Sequence, residues 1–294
     1  MTTAAHELSA LQRPAMADVD VCGLTHPGKV RQTNADQFLI ASFHRALHVH
    51  ATSISGGIGA QETGSRGFLL LVADGVGGLS TAAEGSAHAV TTVAQHLLHA
   101  TELCSQVALS SEQDAVESLR DAVLTAHRGL LEAAAAEGMP PAATTLTMYA
   151  AFWPRAFVLH VGDSRMYRLR DGVLERLTTD QTFAQMMVQA GALSPAGAES
   201  SHLKHVLWSA LGTQEIVPEV VITDCTRRGV VMLCTDGLTN HVSDDEIREH
   251  LARGQSAEQA CQGLIDLALE RGGRDNVTVV IGQVKPESER RRSD

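Results

Sequence analysis

The chain has 294 residues, 44% hydrophobic and 19% charged, with a formal net charge of -11 at neutral pH. That composition is globular, and no window reaches the roughly 18 uninterrupted apolar residues of a membrane helix. The acidic balance excludes a protein that tracks nucleic-acid phosphates along a basic face, but not a phosphorylated partner, because bound cations override the global sign locally.

The first 20 residues lack both a basic start and a long apolar core, so they do not read as a signal peptide. The expectation is a soluble cytoplasmic protein without membrane or nucleic-acid partners. Cys22, Cys104, Cys225, Cys234 and Cys261 are odd in number and lack C-x-x-C spacing, which points to buried free thiols.

Residues 1–15 read as a flexible leader and 285–294 as a charged flexible tail around one domain, 16–284. A first strand is expected over 19–24, a turn at "HPGK", and a second strand from Asp36 to Ile40. The Gly- and Ser-rich stretch within 45–66 reads as a surface excursion, with "LHVHATSI" able to add a strand of its own. His48 and His50 share one face of such a strand, but without a third ligand they read as surface or packing residues. The run "LLLVADGVGG" (69–78) reads as a buried strand that delivers one carboxylate to a glycine-rich turn.

Apolar residues recur every three to four positions over 81–100 and again over 112–136, which predicts two long helices. Short strands follow over 144–150, 156–161, 164–169 and 173–176, the last two joined at Asp171-Gly172, a hairpin signal. Residues 183–190 read as helix and 191–212 as a helical flap. A strand over 230–234, helices over 244–252 and 257–269, and a closing strand over 277–284 complete the chain. Helices are grouped rather than interleaved with strands, so parallel winding is disfavoured and two antiparallel sheets flanked by helices fit better.

Four aspartates stand where apolar segments start or stop: Asp36 in "NADQF", Asp74 in "VADGVGG", Asp236 in "CTDGLTN" and Asp275 in "GGRDNVTVV". Strand ends fixed by a sheet can bring such carboxylates together, and oxygen ligands of this kind suit Mg2+ or Mn2+. Gly75 frees a carbonyl for close approach. Arg31, five residues before Asp36, could hold two phosphate oxygens in a fork. Asp163, in "HVGDSR", reads either as a further ligand or as a turn cap paired with Arg165, and the pattern alone slightly favours the structural role. No "GxxxxGK[ST]" loop supports a nucleotide-cleaving enzyme.

Together, "GKVRQTNADQFLI", "LLVADGVGG", "ATTLTMY", "FVLHVGDSRMYRLRDGVLERLTTDQTFAQMMVQAG", "VVMLCTDGLTNHVSDDEI" and "GGRDNVTVVI" resemble the bacterial metal-dependent protein phosphatases, the PPM family of type 2C serine/threonine phosphatases. The resemblance runs from about residue 19 to 284. It implies an α+β fold, an α/β/β/α sandwich of two mainly antiparallel sheets with the flap beside a metal cleft. It also implies hydrolysis of phosphoserine or phosphothreonine in proteins by a water or hydroxide bridging two Mn2+ or Mg2+ ions, with a weaker third ion.

By motif, Asp74 corresponds to the bridging aspartate and Gly75 to the carbonyl ligand. Asp236 and Asp275 correspond to ligands of one ion, Asp36 to the other, and Asp163 with Asp236 to the third. Arg31 is expected on the substrate phosphate, and Asn34 and Asn276 behind the ligands, Asn276 securing the loop around Asp275. The implied partners are phosphorylated proteins, the substrates of a Ser/Thr protein kinase and the kinase itself; a monomer is expected. Alternatives within the fold are a phosphatase dedicated to a regulatory antagonist protein and a non-catalytic phosphoprotein-binding member.

Three positions depart from the family pattern. Ala35 stands in place of a glutamate, Leu79 in place of a histidine, and Gln181 where many relatives carry histidine or aspartate. None removes an aspartate of the core, so an active enzyme with unusual metal demand is expected. His26, His160 and His205 are candidates for the proton donor by position alone, with His160 favoured as a strand residue bonded to backbone.

Overall fold

The computed structural model describes residue 14 and residues 18–43, 47–53, 67–77, 80–99, 112–225 and 229–284, with side chains left out at 47–52, 80 and 99. The expected leader, the charged tail, Cys104, the Gly-rich stretch after residue 53 and Leu79 lie outside the described residues, as do the side chains of His48 and His50.

Twelve strands are present among the described residues: β1 (Val19–His26), β2 (Asp36–Phe43), β3 (Leu47–Thr52), β4 (Gly67–Val76), β5 (Ala143–Thr144), β6 (Leu146–Phe152), β7 (Arg155–Val161), β8 (Arg165–Arg170), β9 (Val173–Arg176), β10 (Glu219–Asp224), β11 (Val230–Cys234) and β12 (Val277–Val284). They form a five-stranded sheet in the order β1-β12-β11-β8-β9 and a seven-stranded sheet in the order β10-β7-β6-β4-β2-β3, with β5 pairing β4 off that path. Every strand pairing is antiparallel. The helices are α1 (Ser80–His99), α2 (Glu112–Glu137), α3 (Phe183–Gln189), α4 (Pro195–Glu199), α5 (Asp236–Thr239), α6 (Asp244–Leu251) and α7 (Ala257–Glu270), with a 3-10 turn at His202–His205.

The period-two alternation of the strands divides the core into three apolar layers. In β2 and β4, Leu39, Ala41, Phe43, Leu69 and Leu71 face α1 and α2, whereas Phe38, Ile40, Leu70 and Val72 face the other sheet. In β11, Met232 and Cys234 pack under α5, α6 and α7, while Val231 and Leu233 meet the seven-stranded sheet. Both faces of the central strands are therefore dry, which is why β4 reads as an unbroken run "LLLV" rather than an alternation. Layers run helix, sheet, sheet, helix, as expected.

Two features differ from the sequence reading. Strand β4 continues through Asp74 and Gly75 to Val76, so the aspartate sits within the ladder and not after it. Strand β10 was not expected. It is an edge strand paired only with β7, and Val221 and Ile222 remain 38% and 40% exposed, so no dry face imposes a legible alternation.

Helix starts follow capping chemistry. Ser243 and Ser256 open α6 and α7 with reciprocal capping boxes to Glu246 and Gln259, and Thr182 caps α3. The expected flap is built from α4 and the 3-10 turn packed on α3. It is tied back by the Phe183 N–H to the Val206 carbonyl and the Trp208 N–H to the Gln181 carbonyl.

Candidate metal centre

Five carboxylates converge at one edge of the sandwich because five segments of different sequence position meet there. Asp36 opens β2 and lies directly opposite Asp74 in the β2–β4 register. Asp236 follows β11 as the first residue of α5, Asp275 stands two residues before β12, and Asp163 lies in the turn between β7 and β8. Two neighbouring clefts meet here. One, of about 570 Å³, is lined by Arg31, Ala35, Asp74, Gly75, Asp163, Asp236 and Asp275. The other, of about 660 Å³, shares Asp163 and Asp236 with it and extends between the flap and α5–α6.

The glycines after Asp74 and Asp236 are required by close approach. A Cβ on Gly75 would stand 2.3 Å from the Ala82 carbonyl oxygen in α1, and one on Gly237 would stand 1.8 Å from the Asn276 carbonyl oxygen. Each aspartate is thus carried to the cleft on backbone that packs against a neighbouring element with no room for a side chain.

A closed ring of hydrogen bonds sets Asp36. Its Oδ2 accepts from the Thr235 and Thr278 hydroxyls at 2.8 and 2.7 Å. The Thr278 hydroxyl also bonds that of Thr25 (2.7 Å), Asn34 Nδ2 donates to Thr25 (2.8 Å), and Asn34 Oδ1 accepts from the Asp36 N–H (3.1 Å). Asp36 Oδ1, by contrast, is buried with no hydrogen-bond partner. A buried carboxylate oxygen left without a donor is costly, and a cation is the partner that would remove the cost.

Electrostatics point the same way. Burial, opposed by the Thr278 and Thr235 hydroxyls and reinforced by Asp236 and Asp275, pushes the Asp36 carboxyl up to about 7. Asp74 is pushed well above the carboxylate range by burial first and then by Asp36, Asp236, Asp163 and Asp275. Asp163 is raised by burial, then by Asp236 and Asp180, with Arg165 opposing. Mutual repulsion of this kind is relieved by divalent cations held through oxygen. Among the described residues no group of three or more His, Cys, Asp or Glu side chains is by itself arranged to hold a metal ion, so an ion here would need carbonyl and water ligands beside one or two carboxylates.

The Asn276 side chain secures the chain entering β2, whereas the expectation had it securing the loop around Asp275. Its Nδ2 donates to the Pro27 and Thr33 carbonyls, both at 2.9 Å, and its Oδ1 accepts from the Ala35 N–H at 2.8 Å. Arg31 sits beside the carboxylates but spends its fork on Asp275, Nε to Oδ1 at 2.9 Å and Nη2 to Oδ2 at 2.7 Å.

The pair with Arg165 that went with the turn-cap alternative for Asp163 does not form. Arg165 is held by Asp180, with Nη2 to Oδ2 at 2.6 Å, because the β8 start faces the segment leading into α3. Gln181 is 1% exposed and structural: its Oε1 accepts from the Gly162 N–H and its Nε2 donates to the Val217 carbonyl. It thereby shapes the turn that carries Asp163. His160 is buried between the Thr147 hydroxyl and the Thr179 carbonyl, and burial lowers it to about 4. His26 accepts from the Gly28 N–H. His205 borders both clefts, with Nδ1 3.8 Å from Asp236 Oδ2.

Sequence reasoning missed Lys204, Asn240 and His241, which also line both clefts, and the Thr25, Thr235 and Thr278 hydroxyls behind Asp36. Asn240 Nδ2 donates to Asp236 Oδ2 at 3.0 Å, one helical turn on from the aspartate, and that i+4 spacing was a usable signal. The threonines carried none, since a hydroxyl in a β-rich run reads as ordinary strand composition.

A helix-flanked antiparallel sandwich with a carboxylate cluster and an arginine at one edge defines a class of cation-dependent enzymes acting on phosphate groups. The comparisons identify the family: the Protein phosphatase 2C model matches residues 57–269, and the chain belongs to that family. The serine/threonine protein phosphatase PstP of Mycobacterium tuberculosis is 35% identical over 220 residues, covering 74% of this chain and 40% of the relative's own length. A serine/threonine phosphatase of Listeria monocytogenes is 28% identical over 216 residues, 72% of this chain and 83% of that protein. The crystal structure of the Mycobacterium tuberculosis phosphatase superposes with a TM-score of 0.72 at 28% identity, over 91% of this chain and 99% of that one. The structure of the PstP catalytic domain in complex with two manganese ions gives 0.67 at 29% identity, over 91% and 99%.

Proposed function

We propose that the protein removes phosphate from phosphoserine and phosphothreonine in proteins, using Mn2+ or Mg2+. The observation that carries this reading is the convergence of Asp74, Asp163, Asp236 and Asp275 on one cleft, with Asp36 buried opposite Asp74 and its Oδ1 left without a partner. The structure of the PstP catalytic domain in complex with two manganese ions supports the choice of ion.

In this reading Asp74, the Gly75 carbonyl, Asp236 and Asp275 hold the core ions with Asp36, and Asp163 with Asp236 holds a weaker third. Bound cations supply Lewis acidity toward the phosphoryl oxygens and lower the pKa of water. The chain's residues do the rest. Arg31 stands close enough to orient a phosphate with its fork. The Thr235, Thr278, Thr25 and Asn34 ring fixes the rotamer of Asp36, and Asn276 fixes the loop carrying Arg31. Of the three histidines named from the sequence, His205 is the one that borders both clefts and is placed to hand a proton to the departing serine or threonine oxygen.

Phosphoproteins made by a Ser/Thr kinase, and the kinase itself, are the proposed partners, with the protein acting as a cytoplasmic monomer in signal transduction. No helix among the described residues is long and apolar enough to cross a membrane. The test is hydrolysis of a phosphothreonine peptide by metal-stripped protein titrated with Mn2+, Mg2+ and Ca2+, alongside Asp74→Asn and Asp236→Asn. Activity restored by Mn2+ or Mg2+ and lost in both variants is expected; a folded wild type silent at millimolar Mn2+ would sink the reading.

A further inference from the structure

The Arg31–Asp275 pair sets two requirements of the proposed reaction against each other. Both oxygens of Asp275 are engaged by the guanidinium, and Oδ1 also accepts from the Asn276 N–H at 2.9 Å. Those same oxygens are the ones the metal reading needs, and the same guanidinium is the one the phosphate reading needs. With two guanidinium donors and the Asn276 N–H on it, the Asp275 carboxylate has three of its about four lone-pair sites taken, so a cation approaching it meets a mostly filled ligand and a like charge.

We propose that Arg31 and a divalent cation are alternative partners of Asp275, so that loading the cleft with metal releases the Arg31 guanidinium to receive the substrate phosphate. This rests on the phosphatase reading and adds an order of events to it: the phosphate-binding group is withheld until the ion is in place.

The surroundings allow the exchange. The side chains of Arg31 and Asp275 are 51% and 38% exposed, so the pair is wet and inexpensive to part. The backbone on either side of Arg31 is pinned, because the Lys29 N–H donates to the Gly273 carbonyl at 2.7 Å and Asn276 grips Pro27 and Thr33. The guanidinium can therefore swing on its flexible stem while its Cα stays at the rim of the cleft.

The experiment is calorimetric titration of Mn2+ into the metal-stripped full chain, for wild type, Arg31→Ala, Arg31→Lys and Arg274→Ala. Arg274 lines the same cleft, so its removal controls for the loss of one positive charge. If the pair competes with the cation, Arg31→Ala binds Mn2+ about fivefold more tightly than Arg274→Ala does, the factor expected for freeing an exposed ion pair. Arg31→Lys, which cannot form the fork, falls between wild type and Arg31→Ala. In wild type the Arg31 Nε–H resonance shifts as diamagnetic Mg2+ is added. Equal Mn2+ affinities for Arg31→Ala and Arg274→Ala, or an Arg31 resonance unmoved at saturating Mg2+, would overturn the competition and leave the phosphatase reading standing. Absence of Mn2+ binding by folded wild type would overturn both.

Discussion

Asn276→Ala tests whether one amide organises the entrance to the cleft. The side chain is 6% exposed and makes three hydrogen bonds, two donated to the Pro27 and Thr33 carbonyls and one accepted from the buried Ala35 N–H. Each is worth about 1 kcal/mol net, the desolvation of the orphaned Ala35 N–H included, so the loss should be about 3 kcal/mol. For a domain of this size that lowers Tm by roughly 6 to 12 °C. Urea unfolding of metal-stripped protein gives the stability change directly, and Mn2+ titration of the same samples shows whether slackening the loop before Asp36 weakens the ion. A destabilisation below about 0.5 kcal/mol with unchanged Mn2+ affinity would refute the argument, since surface substitutions without structural consequence fall within that range.

Ala35→Glu places a carboxylate in the cleft from a position whose N–H and carbonyl are already fixed by Asn276 and Ser86, so the backbone should not move. Mn2+ affinity is expected to rise about tenfold by calorimetry, in line with outer carboxylates at other metal sites; no change would show that the missing glutamate costs this chain nothing.

The pH dependence of metal-stripped protein follows from Asp36, whose carboxyl sits at about 7 against an ordinary 3.8. Between those values the native state binds more protons than the unfolded chain, so unfolding free energy falls as pH rises from about 4 to 7. Asp36→Asn should flatten part of that slope in denaturant titrations at stepped pH, with Asp74 contributing the remainder. A wild-type slope of the opposite sign would contradict the burial assigned to these groups.

The helices, the buried strands and the four strand-end aspartates were legible in the sequence because each is a local pattern: a period of 3.6, an apolar run, or an aspartate where an apolar run starts or stops. Family motifs then gave Arg31 and Asp163 their expected roles. Strand β10 escaped because an edge strand that leaves both Val221 and Ile222 exposed imposes no clear alternation. Thr235 and Thr278 escaped because their task depends on which strand lies beside Asp36, and sequence separations of 199 and 242 residues carry no local trace of it. Sequence by itself determined which residue types were present to hold a cation and a phosphate. Tertiary structure decided that Asp36 faces Asp74, that one Asp36 oxygen is satisfied and the other is not, and that Arg31 lies on Asp275. The physical reason is that carboxylate repulsion, burial and fork geometry act over a few ångströms of space, whereas the chain brings these groups within reach only when β2, β4, β11 and β12 end at one edge.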